Sequence, residues 1–482
     1  MSSPFNEEKY KQLLEGLEIS EVSYKQVIDE NDWHRFDPEY YRKQATRIIN
    51  AIKKKKYCTI GECFDVSKLA GFEFTEYFTS ENMQSIDCYI ALTSKNIQNE
   101  RLDLSDYITI DKSVADLNLS RSKIFDNDVI LSYTGEYRRA LTLQENRSFQ
   151  LGPNICRLRP KGQIINPFYL STFLNSKIGQ IILDKEKTLS AQPTVAMSRI
   201  RLIPIPISSF DFQQEIELII KSAHDNLSKS KSLYSEAENL LLTELGLKGW
   251  QPDNNPVNIK QLKESYLKSG RLDAEHYMVK YDELEVWIKS VSHKTIAEIQ
   301  LFNARGVQPV YIQNGEVPIV NSKHILEDGL DYDNFEHTTT DFLNSHNRAR
   351  IVFGDILIYT TGANIGRTQV YLKDEPAVAS NHVNILRVQG VNPIYLAVVL
   401  NSQVGRMQTE KLCTGSAQAE LYPDDIEKFI VPILPEKKQK TIADYVQKSI
   451  SLRNEAKQLL ESAKLKVEDA ISPPPPPSLF NW

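Results

Sequence analysis

The chain of 482 residues repeats itself. Leu174–Gly179 reads LNSKIG and Leu400–Gly405 reads LNSQVG, 226 positions apart. Each is preceded at the same offset by a matching approach, NPFYL from Asn166 and NPIYL from Asn392. One offset held over that distance marks an internal duplication, which commits the chain to building one framework twice. The repeat covers nearly everything. Arg35-Phe36-Asp37-Pro38-Glu39-Tyr40-Tyr41 matches Arg271-Leu272-Asp273-Ala274-Glu275-His276-Tyr277 at an offset of 236, as Thr59-Ile60-Gly61-Glu62 matches Thr295-Ile296-Ala297-Glu298. The offset then narrows to 228, where Ser94-Lys95-Asn96-Ile97 pairs with Ser322-Lys323-His324-Ile325, and to 227, where DVILSYTG from Asp128 pairs with DILIYTTG from Asp355. Drifts of this size are loop insertions within a shared framework.

The matched segments predict an α+β fold. DILIYTTG and HVNILRV are β-branched runs closed by Gly or polar turns and read as short strands, while PIYLAVVLNS reads as a helix begun just after Pro393. Neither copy shows the regular strand–helix alternation of a doubly wound sheet, so each is expected to be a compact mixed unit.

A different texture follows each unit. From Gln213 the residues Ile216, Ile220, Ala223, Leu227, Ser230, Tyr234, Ala237 and Leu241 fall at four-three spacing. Ile442, Val446, Ser449, Arg453, Ala456, Leu460, Ala463 and Val467 repeat that pattern 226 positions later. Two helices in one heptad register are predicted, each roughly 50 Å long at about 1.5 Å per residue, and their equal length favours packing against each other. Ser230, Ser449, Arg453 and the alanines predict a weak two-stranded seam that leaves faces open to further partners. The expected divisions are a first unit at 1–212, a spacer helix and linker at 213–249, a second unit at 250–438, a distal helix at 439–472 and a proline-rich tail at 473–482. The stretch GLKGWQPDNNP, Gly246–Pro256, ends the first long helix and leads into the second unit. The tail, PPPPPSLFNW, is either disordered or an extended polyproline segment presenting Leu479, Phe480 and Trp482.

Composition and motifs narrow the function. A net charge of −6, from 57 basic and 63 acidic residues, argues against a protein that coats nucleic acid without specificity. Charge is nevertheless segregated, with IKKKKY at Ile52–Tyr57 and RLRPKG at Arg157–Gly162 basic and the stretches around Asp32 and Asp328 acidic. The five cysteines form no CxxC pair and read as reduced thiols. No signal pattern opens the chain and no run of about 18 apolar residues occurs, so a soluble, cytoplasmic protein without membrane contact is expected. A DNA methyltransferase needs a Gly-rich cofactor loop and an Asn- or Asp-Pro-Pro-aromatic motif, yet adjacent prolines occur only in the tail. TGANIGRT at Thr361–Thr368 departs from a phosphate loop in spacing and carries Arg367 where Lys belongs. DKEK at Asp184–Lys187 reads as a solvated helix end, and the eight histidines lack ligand spacing. The chain thus reads as two binding units with no catalytic constellation, no cofactor and no metal.

These residues carry a resemblance. Two diverged units, each opening on the Arg-Leu/Phe-Asp element, containing a turn such as GDILIYTTGANIGR (Gly354–Arg367) and closing on PIP or PILP before Gln and a long helix, resemble the specificity subunit of type I restriction-modification systems. The match covers almost the whole chain. It implies two target recognition domains, each reading half of a split double-stranded DNA sequence, joined by two antiparallel helices on which two methyltransferase subunits dock and through which restriction subunits join. The first copy departs from the pattern: DNDVILSYTGEYRRA (Asp126–Ala140) lacks the glycine before Asp128 and the second loop glycine.

Reading bases needs donors that reach groove edges, Arg or Lys toward guanine and Asn or Gln toward adenine. The polar loops offer Lys95, Asn96, Arg138, Arg139 and Gln192 in the first unit, and Lys323, His324, Asn364, Arg367 and Gln418 in the second. Each is equally readable as a loop-forming or phosphate-binding residue. LSAQP and GSAQA share Ser-Ala-Gln at the 226 offset, whereas base-specific positions should differ between halves. A second reading is a scaffold or protein-binding subunit of a phage-defence complex, whose duplicated domains bind protein rather than DNA.

Overall fold

The computed structural model describes residues 6–14, 21–29 and 35–471, apart from 99, 136–137, 189, 254, 256 and 416–418. Asp32, Gln418 and the proline-rich tail lie outside these. The chain divides into two compact units, Met1–Asn226 with Glu455–Trp482, and Leu227–Asn454.

The first unit has two four-stranded sheets. One runs Ile108–Asp111, Cys88–Leu92, Phe149–Leu151, Lys123–Ile124 across the sheet, and the other Phe64–Lys68, Ile155–Pro160, Val129–Ser132, Ala140–Thr142. In the second unit the orders are Glu336–Thr338, Val317–Val320, Ala377–Ala379, Arg350–Ile351 and Gln300–Arg305, Val383–Val388, Ile356–Tyr359, Thr368–Val370. Position for position the topology is the same, including the parallel pairing of Phe149–Leu151 on Cys88–Leu92 and of Ala377–Ala379 on Val317–Val320. Val129–Ser132 and Ile356–Tyr359 form central strands, and continuous burial of Val129, Ile130 and Leu131, and of Ile356, Leu357 and Ile358, explains why they read as unbroken apolar runs. The fold is α+β, as the segments predict.

The recurring motifs are the joints of this framework. Asn175 accepts the Ala140 N–H at 2.9 Å and returns its amide to the Ala140 carbonyl at 2.8 Å, and Asn401 clamps Thr368 in the same way, at 2.9 and 2.7 Å. A side-chain amide that satisfies both backbone groups of one strand residue replaces a missing neighbour strand. The following serine caps the next helix: Ser176 accepts from the Gly179 N–H and Ser402 from the Val404 N–H. The glycines let the paired helices meet, since a Cβ on Gly179 would stand 2.0 Å from the Phe173 carbonyl oxygen and one on Gly405 2.1 Å from that of Leu400. Asn166 and Asn392 cap their helices with Pro at the first position, and each donates its own N–H to a long-helix glutamine, Gln213 at 2.7 Å and Gln439 at 2.9 Å. At the opening element, Arg35 forks onto Asp37 and Arg271 onto Asp273, while Tyr41 and Tyr277 donate to the carbonyls of the respective arginines.

The two long helices span Phe210–Glu244 and Glu436–Ile471, starting three residues before Gln213 and Gln439. Within the second unit they run antiparallel, Ser230 against Ser449 and Glu244 against Lys438; within the first, Glu215 pairs with Lys466. Ile216, Ile220, Ala223, Ala237 and Leu241 are buried on one helix, as are Ile442, Val446, Ala456, Leu460, Ala463 and Val467 on the other. The seam is tighter than its serines suggest. Ser230 and Ser449 are buried and exchange hydroxyl-to-carbonyl hydrogen bonds, both at 2.8 Å, so neither hydroxyl is left unpaired. No described helix is long and apolar enough to cross a membrane.

Candidate nucleic-acid interface

In each unit two loops leave the framework side by side. In the second, the turn after Ile356–Tyr359 meets the segment 419–421: Leu421 N–H donates to the Thr360 carbonyl at 2.9 Å, Gly362 N–H to that of Ala419 at 3.2 Å, and Thr361 bridges Glu420. In the first, Val195 N–H donates to the Tyr133 carbonyl at 2.9 Å and Thr134 bridges Thr194. A buried carboxylate holds the strand beneath each loop. Asp128 receives the Arg159 fork at 2.8 and 2.7 Å and Asp355 that of Arg387 at 2.7 and 2.8 Å; both also accept a turn N–H, from Phe125 and Val352.

The missing second glycine of the first loop has a definite consequence. Gly366 has φ 86° and donates its N–H to the Tyr359 carbonyl at 2.8 Å; Arg138 takes its place with φ 81° and donates to Ser132 at 3.0 Å. Both turns are thus closed by an equivalent backbone hydrogen bond, and in the first a side chain occupies left-handed backbone, a strain of order 1–3 kcal/mol. The Arg138 guanidinium is anchored on Asp184 at 2.8 Å.

The sequence-chosen residues fall into three groups. Lys95 and Lys323 are exposed at equivalent turns and pair with Asp106, at 3.6 Å, and with Glu336. Gln192 and Asn364 are also exposed. Arg139 and Arg367 form a second group, each donating from Nη1 to the carbonyl of the residue after the neighbouring turn, Ile97 at 3.1 Å and Ile325 at 3.4 Å; Arg367 also holds the Asn364 side chain at 2.9 Å.

Asn96 and His324 depart from the sequence reading. Both are buried. Asn96 accepts from the Thr93 N–H and donates to the carbonyls of Asp103 and Asp106 at 2.8 and 2.7 Å, so its amide is used up in shaping the turn. His324 does the equivalent job: Nδ1 accepts the Asn321 N–H at 3.0 Å and Nε2 faces the Glu336 carboxylate at 3.2 Å. Burial pushes the His324 pKa down, and hydrogen bonds from Lys323 and Asn321 hold Glu336 below the usual carboxylate range despite its partial burial. Asn96 offers no free polar edge, and the Nε2 of His324 is buried, turned to Glu336 without a hydrogen bond.

Sequence reasoning missed Arg305. Its guanidinium reaches Thr361 Oγ1 at 2.7 Å and stacks 4.8 Å over the Tyr422 ring, at the meeting point of the two loops. By strand register its counterpart is Lys68, which lies 5.4 Å over the Tyr133 ring. Among the described residues no group of His, Cys, Asp and Glu is arranged to hold a metal.

Part of this framework is similar to known proteins. Residues 290–464 match the family described as type I restriction modification DNA specificity domain. Much of the second unit is thus similar to a type I specificity domain. A curated relative, the type I restriction enzyme EcoBI specificity subunit of Escherichia coli, is 26% identical over 121 residues, a stretch that spans 25% of either chain. Among solved structures, the S subunit of a type I restriction-modification system from M. genitalium aligns over 86% of this chain and 94% of its own, at 13% identity and a TM-score of 0.40. The HsdS subunit from Thermoanaerobacter tengcongensis aligns over 86% and 96%, at 14% identity and a TM-score of 0.29. The matched specificity domain takes in the Asp355–Arg387 fork, the Asn401 clamp, Gly405 and the second loop pair, and the first unit repeats each of these joints.

Proposed function

We propose that the chain is the DNA sequence-specificity subunit of a type I restriction-modification complex. Each unit reads one half of a bipartite duplex target, and the long helices dock two methyltransferase subunits and, through them, restriction subunits. It contributes recognition and performs no reaction of its own. The observation that supports this reading is the division of labour inside the duplication: the joints recur contact by contact, while the turn after the central strand differs in length and sequence, TGEYRRA in one unit and TGANIGRT in the other, as two readers of two unlike half-sites require. A scaffold that binds protein through both units would have no reason to keep the frame and vary the loops.

The test is selection from random duplex by the full chain assembled with its methyltransferase partner. Enrichment of two unlike short motifs at a fixed gap is expected; one continuous motif, or none, would overturn the proposal. Within the reading, Arg139 and Arg367 make the same contact in both units and are assigned to positioning the loops, with Lys95 and Lys323 on phosphates. Arg138, Gln192 and Gln418 stay as reading candidates beside Asn364, and Asn96 and His324 shape the turns that carry them. The turn that holds Asn364 is one residue longer than that of the first unit, and loss of the Asn364 side chain should weaken binding to the selected duplex by about 1–3 kcal/mol and relax one base pair of the preference. Equal weakening of Asn364→Ala on scrambled duplex would reassign it to loop support through Arg367.

A further inference from the structure

The basic run IKKKKY has found no role in the reading loops. It closes the helix Lys43–Lys53 in the first unit, whose counterpart in the second is Val279–Lys289. The two helices occupy the same place in the duplicated order and carry opposite surfaces. Val279–Lys289 contains Asp282, Glu283 and Glu285, and its cations are matched, Lys289 by Glu285 and Lys280 by Glu410, while Asp282 and Glu285 also take Lys260 and Lys411 from outside the helix. The stretch Lys43–Lys56 contains no carboxylate at all.

Its buried face is apolar, with Ala45 and Ile52 packed inward, and Gln44, Arg47, Asn50, Lys53, Lys54 and Lys56 exposed. Gln44, Arg47, Asn50 and Lys54 follow helical spacing, so donors form a stripe along one side. Lys55 alone is turned away, donating to the carbonyls of Ala470 and Ile471 at 2.6 and 3.3 Å, which caps the end of the second long helix. Arg47, Lys53, Lys54 and Lys56 make no ion pair with any described residue, in a chain whose loop cations Lys95, Arg138 and Lys323 are all paired.

We infer that this face is a phosphate-backbone contact for duplex DNA, present on the first unit and absent from the second. The inference rests on the DNA-reading function proposed above. Charge decides the occupant: flexible, strongly hydrated lysine ammoniums suit phosphate oxygens as point charges, whereas lysine is depleted from protein–protein interfaces. Arg47 to Lys54 spans about 10 Å at 1.5 Å per residue, about three phosphates at 3.4 Å of axial rise per strand. Such a contact carries no sequence information. It adds affinity beside the first half-site only, so the two ends of the target are gripped unequally.

The experiment compares the full chain, assembled with its methyltransferase partner, with the variant Arg47→Gln/Lys53→Gln/Lys54→Gln/Lys56→Gln, leaving the capping Lys55 intact. Binding is measured on selected and scrambled duplex between about 50 and 200 mM salt. The slope of log K against log salt should become shallower by about two to four, at roughly 0.9 per phosphate lost, with the selected-to-scrambled ratio unchanged. The charge-keeping variant Arg47→Lys/Lys53→Arg/Lys54→Arg/Lys56→Arg should restore the slope, which a folding defect would not allow. An unchanged slope in the glutamine variant overturns the inference. Loss of a co-purifying subunit with the slope intact overturns it in favour of an acidic protein surface. A wild-type complex that selects no sequence fails the underlying reading instead, and is distinguished by being seen before any variant is made.

Discussion

Gly405→Ala is expected to destabilise the second unit, and Gly179→Ala the first, by at least about 3 kcal/mol each. The added Cβ of residue 405 would lie 2.1 Å from the Leu400 carbonyl oxygen and 2.4 Å from its Cα; that of residue 179 would lie 2.0 Å from the Phe173 oxygen and 2.7 Å from the Leu174 Cα. Every one of these neighbours is backbone of a helix whose asparagine clamps a central sheet, so no side chain can swing aside to relieve the overlap. Hydrogen exchange resolves the effect by unit. Gly179→Ala should deprotect Ala140–Thr142 and its sheet while leaving Ile356–Val370 protected, and Gly405→Ala should do the reverse. A loss below about 1 kcal/mol for either would mean that the close helix approach is not as described.

The second large effect concerns spacing. Inserting one heptad into both long helices, after Leu227 and after Arg453, keeps every seam residue facing its partner. The two sites face each other, since Arg453 reaches the Ser230 hydroxyl at 3.4 Å. Each helix gains about 10 Å at 1.5 Å per residue. On duplex of about 3.4 Å per base pair the preferred gap between half-sites should grow by about three base pairs. Twist also rotates the second half-site by roughly 100° at about 10.5 base pairs per turn, so some affinity should be lost even at the best new gap. Methylation mapping of the mutant complex decides: unchanged half-sites further apart support a helical ruler, whereas an unaltered gap with full activity removes the helices from spacing.

The framework was legible because a duplication marks residues that do one job twice. LNS at Leu174 and at Leu400 pointed to a joint before its nature was known, and the clamps of Asn175 and Asn401 supply the chemistry. The heptads were legible for the same reason, and both helices bury the seam they spell. The reading loops were not. A polar residue that satisfies a turn looks the same in sequence as one that faces solvent, which is why Asn96 and His324 read as candidates although both are buried and the local backbone binds the Asn96 amide and the His324 Nδ1. Arg305 escaped for a different reason. A bulge between Gln300 and Phe302 adds a residue to that strand, so Lys68 and Arg305 stand 237 apart and fall out of the 236 alignment that holds just before them.

The first unit is made of two separated pieces of chain, Met1–Asn226 and the segment from Glu455 onward. On the ribosome this sets an order of completion. When Asn226 emerges, Glu100, Glu215 and the Lys177 N–H have no partners, because Lys464, Lys466 and Glu468 have yet to be made. At about 5–20 residues per second the intervening stretch takes on the order of ten to fifty seconds to synthesise. The second unit is contiguous and can close as soon as it appears, while the first still lacks its ion pairs to the returning helix. The half that is begun first is therefore finished last.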